Sequence, residues 1–251
     1  MPNLPTHIHL SEISYNSIAE NSLKTYLPEY LLGSTSPDIR VITKKNRSVY
    51  HFVDLDFKQI GDGFNNLKQQ HPEWSNGRNS DDMSLSFMCG YLSHLVLDET
   101  WITTIYRKYF KTNYFSEDPV TRLVYDRALQ LHLDNIYWDS TLRNLDLIKN
   151  SRTDFKVSFL ANEPVRKWRD WISDLLGKGF SWKRLEFMAS RISKGDPSHS
   201  ALSIAKDILD APDKNIMNIL NKLPSNTIDE FEKTSLANIE RVLQDFLKCG
   251  K

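Results

Sequence analysis

Phe87-Met88-Cys89-Gly90-Tyr91-Leu92-Ser93-His94-Leu95-Val96-Leu97-Asp98-Glu99-Thr100-Trp101 is a largely apolar run interrupted by an imidazole and, four residues on, a carboxylate. Its length and its lack of strand-like alternation read as a buried helix. Helical positions i and i+4 share a face, so His94 and Asp98 project together, with Tyr91 before them and Trp101 and Ile105 beyond. An unpaired carboxylate is costly to bury, and either a hydrogen-bonded core network or a shared divalent cation meets that cost. Spacing does not choose between them: with 7 His and 21 Asp in 251 residues, roughly 0.6 His-x-x-x-Asp pairs are expected by chance and one is seen.

Around this run, apolar residues recur at helical spacing almost throughout and alternating Val/Ile/Thr runs are scarce, which predicts an all-α fold. Start signals place helices from Asp56 to Gln70, from Ser80-Asp81-Asp82 to about Phe110, and from Asp118-Pro119 to about Trp138. Others follow over 165–176, 182–193, 198–210, 213–222 and 227–248. Two stretches do not read as helix: residues 1–10, taken as a loop, and Gly33 to about Leu55, taken as an extended segment after a short helix that ends at Gly33. A single domain over 1–251 is expected, its site carried by 1–140 and further helices of 141–251 packed on that half.

Composition removes several functions. Lys+Arg and Asp+Glu both number 32, so no basic field exists to hold an extended nucleic-acid backbone. Cys89 and Cys249 form neither a disulfide framework nor a zinc knuckle, the chain start lacks a basic-then-apolar leader, and no stretch has transmembrane length. These features predict a cytoplasmic protein without a membrane span. No His-Glu-x-x-His helix, nucleophile elbow, phosphate loop or His-Asp dipeptide occurs, so covalent catalysis has no candidate.

The order of the polar residues gives the pair its context. Thr6-His7, Ser36-Pro37-Asp38, Tyr50-His51 and then His94 and Asp98 form a series of metal-ligand types. With Pro2 to His7, Leu31-Leu32-Gly33 to Pro37-Asp38, His51-Phe52 and Tyr91-Leu92 to Asp98, the chain resembles the zinc-dependent phospholipase C family as its bacterial members read. The resemblance covers roughly residues 1–140. It implies an all-helical fold similar to that of single-strand-specific nucleases, His7, Asp38, His51, His94 and Asp98 as zinc ligands with Asp98 bridging two ions, and hydrolysis of phosphate esters by a metal-bound hydroxide.

The chain also departs from that family. Secreted members use an amino-terminal nitrogen freed by leader removal as a ligand, which a chain opening Met1-Pro2 is not expected to supply. They also carry a later His-x-x-x-Glu pair, whereas His132 here is followed four residues on by Ile136. One or two Zn²⁺ ions are therefore expected, with His9, Asp126 and His132 as additional ligands or supporting groups. Asp38 or Asp54 is the candidate to orient or deprotonate the attacking water, and Arg40 and Arg127 are candidates to hold phosphate oxygens. A phosphate-ester small molecule or a lipid headgroup is the expected substrate. The alternative is a non-catalytic helical protein with a structural metal site or a buried polar network. His71 reads as a helix C-cap, His199 as a surface residue, and Trp168, Trp171 and Trp182 as core.

Overall fold

A computed structural model of the chain describes residues 1–17, 23–75, 77 and 80–248, and every regular element among them is helical. In order they are α1 (Leu4–Ser17), α2 (Leu27–Gly33), α3 (Arg40–Thr43), α4 (Arg47–His51), α5 (Asp62–Gln70), α6 (Asp82–Thr100), α7 (Pro119–Ile136), α8 (Trp138–Lys149), α9 (Asn162–Gly177), α10 (Arg184–Ser193), α11 (Ser200–Leu209), α12 (Pro212–Leu220) and α13 (Thr227–Lys248). Cys249 and part of the turn expected at 75–80 lie outside the described residues.

α6 is the axis of the fold. Asp81 caps it by accepting the Ser84 amide, and eighteen of its nineteen residues are buried. α2 lies against it at backbone contact: a Cβ on Gly90 would meet the Tyr30 carbonyl oxygen at 1.9 Å, and one on Gly33 the Phe87 carbonyl oxygen at 2.1 Å. α1, α2, α5, α8, α9 and α13 share a core with the first half of α6, built on residues such as Tyr30, Phe87, Trp168 and Phe246. α7 and α10–α12 enclose a second core with Trp101 and Phe231, so α13 contributes to both. Among the described residues no helix is long and apolar enough to cross a membrane.

Four sequence expectations are corrected. Residues 1–10 are not a loop: α1 begins at Leu4, and Pro5 sits in its first turn, where a missing amide costs nothing. α1 buries polar and apolar residues side by side, Ser11 pairing with Ser93 and Ser14 with Tyr30 beside buried Ile8 and Leu10, so no apolar stripe announces the helix. The segment after Gly33 is not extended either, being a 3₁₀ turn (Ser36–Ile39) followed by α3 and α4. Asp56 caps nothing, because α5 starts only at Asp62, whose carboxylate accepts the Lys58 and Gln59 amides. α8, which follows a break at Tyr137, has no counterpart among the predicted helices.

The long helix expected to reach Phe110 does so with a change of winding. Trp101–Phe110 is a π-helix, ended by a Lys111 amide bonded back to the Tyr106 carbonyl. Its Arg107 donates to the carbonyls of Leu55 and Phe57, fixing the segment that leaves α4.

Candidate metal centre

Four elements carry the five residues of the series into one place: α1, the 3₁₀ turn Ser36–Ile39 with Asp38, α4 and α6. α6 presents His94 and Asp98. α1 presents His7, whose ring stacks on that of His94 at 3.8 Å between centroids and 7° between planes. His51 ends α4, where Tyr91 donates its hydroxyl to the Tyr50 carbonyl and Asn66 donates to the Phe52 carbonyl. Phe52 itself takes a left-handed conformation (φ 59°), which turns the chain sharply away after His51.

At the centre, Asp98 Oδ1 lies 3.4 Å from His7 Nε2, while Oδ2 lies 3.2 Å from His51 Nε2 and 3.7 Å from His94 Nε2. His94 and His51 approach through their Nε2 atoms at 3.3 Å. His94 Nδ1 is 2.8 Å from the Ser34 carbonyl, which fixes that nitrogen as the donor and leaves Nε2 as the ligand atom. Asp38 stands at the rim, 23 % exposed, with Oδ1 3.8 Å from His51 Nε2. His7, His51, His94 and Asp98 are closed off from solvent.

Protonation states favour a cation. Burial, with the field of neighbouring His7, holds the His94 imidazole well below its usual range, and burial lowers His51 as well. Burial would push the Asp98 carboxyl up, but the Arg47 guanidinium and the His94, His51 and His7 imidazoles around it hold it well below the usual carboxylate range. At neutral pH these groups are thus two neutral imidazoles and an ionised carboxylate, the forms in which they ligate a metal.

The ligand atoms of His7, His94 and Asp98 lie within 4.8 Å of one another, as do those of Asp38, His51 and His94. Both His7 ring nitrogens, His51 Nδ1 and Asp98 Oδ1 are buried without a hydrogen-bond partner. Buried polar atoms are rarely left so, and a nitrogen–oxygen donor set of this kind fits Zn²⁺. The residues present therefore fit the metal that the sequence implies.

The other candidates lie elsewhere. His9, two residues from His7 and so on another face of α1, stacks on Tyr137 at 4.2 Å. Asp126 is buried and accepts from Trp101 Nε1 and Gln130 Nε2. His132 is half-buried, with Asp213 as its charged neighbour. Asp54 is exposed and makes no hydrogen bond or ion pair with the cluster. Arg40 stands at the rim, Nε 3.8 Å from Asp38 Oδ1, whereas Arg127 donates to Gln130. His71 sits at the C-cap of α5 and packs on Phe159, and His199 caps α11 by accepting the Ala201 amide. Trp168 is core and donates to Thr35, Trp182 is partly buried, and Trp171 is 37 % exposed, stacked on Trp168.

One residue of the centre escaped the sequence reading. Arg47 Nη2 lies 2.8 Å from Asp98 Oδ2, the side chain 9 % exposed. Its signal was its position four residues before His51, which puts both on one face of α4.

An all-helical fold that buries a histidine–carboxylate cluster between α1, α4 and α6 is that of a protein able to hold a metal. The zinc dependent phospholipase C family matches residues 6–184, and the chain belongs to that family. The match runs beyond residue 140, through α9 to the first residue of α10. No curated protein and no solved structure matches the chain.

Proposed function

We propose that the protein is a metal-dependent hydrolase of phosphate esters, acting on a phosphodiester or phosphomonoester, with zinc held by His7, Asp38, His51, His94 and Asp98. The observation that carries this reading is the convergence of these five side chains in two overlapping groups that share His94, with His7 Nε2 and Asp98 Oδ1 buried and unpartnered. Zinc among them supplies Lewis acidity toward a water and a phosphoryl oxygen.

The chain's own groups divide the remaining work by depth. His7, His94 and Asp98 form the rigid, solvent-free floor. Asp38, the one partly exposed carboxylate of the set, accepts a proton from the attacking water at a carboxylate oxygen; solvent-facing Asp54 has no contact that would aim it. Arg40, 30 % exposed beside Asp38, offers its guanidinium to a phosphate oxygen entering from the rim. A lipid headgroup and a soluble ester present the same phosphate to these groups.

The test is hydrolysis of bis(p-nitrophenyl) phosphate, p-nitrophenyl phosphate and a short-chain phosphatidylcholine by metal-stripped and zinc-reloaded protein. Turnover should appear only after reloading, and His94→Ala and Asp98→Asn should each lower it by at least about 100-fold. Zinc-loaded protein inert on all three substrates would sink the reading.

Full burial of the floor favours a second reading, in which the metal fastens α1 and residues 36–51 onto α6 without turnover. Stoichiometric zinc whose removal lowers Tm in an inert protein would establish it.

A further inference from the structure

We propose that the centre holds a single metal ion and that the Arg47 guanidinium stands where a second would, completing with that ion a two-cation clamp for one phosphate group. The proposal rests on the hydrolase reading above and deepens it.

Three observations converge on it. First, the two potential ligand groups share His94. Its Nδ1 is committed to the Ser34 carbonyl, so it has one lone pair, at Nε2, to give, and the two groups cannot both be filled. Second, the carboxylate suited to bridging two ions is already divided. Asp98 Oδ1 faces His7 at 3.4 Å without a hydrogen bond, whereas Oδ2 accepts from Arg47 at 2.8 Å. Third, the charge fits one ion. Asp38 and Asp98 against Arg47 leave the cluster near −1, and one Zn²⁺ makes it +1, suited to an anion. A second would leave about +3 on a cluster of which His7, His51, His94 and Asp98 are closed to solvent, a charge too costly to bury.

Arg47 is also equipped for the substrate. An arginine carries five N–H donors in a planar fork that matches phosphate oxygens. Here Nη2 is used on Asp98, Nη1 points at the Met1 sulphur, and Nε is buried with no partner. Its charge is permanent, so it holds this place whether or not an ion is present.

The test counts zinc and measures inorganic phosphate separately from turnover. The metal-stripped full chain is titrated with zinc in a weakly chelating buffer that removes surface ions, with His94→Ala as the control. Inorganic phosphate is then titrated calorimetrically into the loaded protein. The wild type should bind one zinc per chain. Arg47→Gln should admit a second and, loaded with one, bind phosphate at least about tenfold more weakly. Arg47→Lys, which keeps the charge without the fork, should still take one zinc and bind phosphate with intermediate strength.

Two zinc ions per wild-type chain, or unchanged phosphate affinity in both Arg47 variants, would overturn the proposal while leaving the hydrolase reading intact. No zinc in the wild type would overturn both. If Arg47→Gln does not fold, the wild-type count and the Arg47→Lys phosphate titration still decide.

Discussion

Asp134 shows how far a single buried carboxyl can shape this protein's response to pH. It lies on α7 with Oδ2 accepting from Asn3 and Oδ1 unpartnered, and burial pushes its pKa from 3.8 up to about 7. Between those values the folded chain keeps a proton that the unfolded chain gives up, so stability falls as pH rises through the window, by up to ~1.4 kcal/mol per pH unit. Asp134→Asn keeps the shape and removes the titration. Urea unfolding of the variant between pH 4 and 8 is expected to show a flatter profile and greater stability than wild type at pH 8; parallel profiles would refute this. The contrast with Asp98 explains what could be read from the sequence. His7, Asp38, His51, His94 and Asp98 were legible because their types and order survive in one dimension. Arg47 was not, since an arginine among loop residues reads as solvated until its neighbours are known, and neither was the Ser34 carbonyl, since backbone atoms leave no mark in a sequence.

The helices were legible to the extent that apolar residues mark their buried faces. α6, α7 and α9 to α13 have such faces and appear near their expected positions. α1 buries polar residues among its apolar ones, and α3 and α4, at four and five residues, are too short to show a period and are held by tertiary contacts. The crossing of α2 and α6 was invisible for a related reason: Gly33 reads only as a helix end, while in the fold Gly33 and Gly90 let two backbones touch. Gly90→Ala would drive a methyl group into the Tyr30 carbonyl, and backbone on both sides prevents relief by rotamer change. A loss of ~3 kcal/mol, equivalent to a Tm fall of roughly 6–12 °C in a chain of this size, is expected by thermal melting. Ser93→Ala, which removes the hydroxyl's bonds to Ser11 and to the Gly90 carbonyl, should cost about 1 kcal/mol. Equal effects would mean that the helices do not meet as closely as drawn.

The family match ends at residue 184, yet the fold does not. Ile239, Val242, Leu243 and Phe246 of α13 are all buried in the core that α6 shares with α1 and α2. At roughly 1.5–3 kcal/mol for each buried side chain, their removal forfeits about 6–12 kcal/mol, comparable to the whole stability of a typical domain. A chain cut after Arg184 is therefore expected to lack the near-ultraviolet circular dichroism of packed aromatic residues; a native-like spectrum would show α13 to be an accessory. The glycine crossing has one further consequence. Because α2 and α6 close on bare backbone, the Ser34 carbonyl meets His94 where these helices dock, so the nitrogen that His94 leaves for a metal is set by the fold and not by the ion. Sites of this kind rank divalent metals in much the same order wherever they are found, so the ion this one acquires would be decided by the pool available where the chain matures.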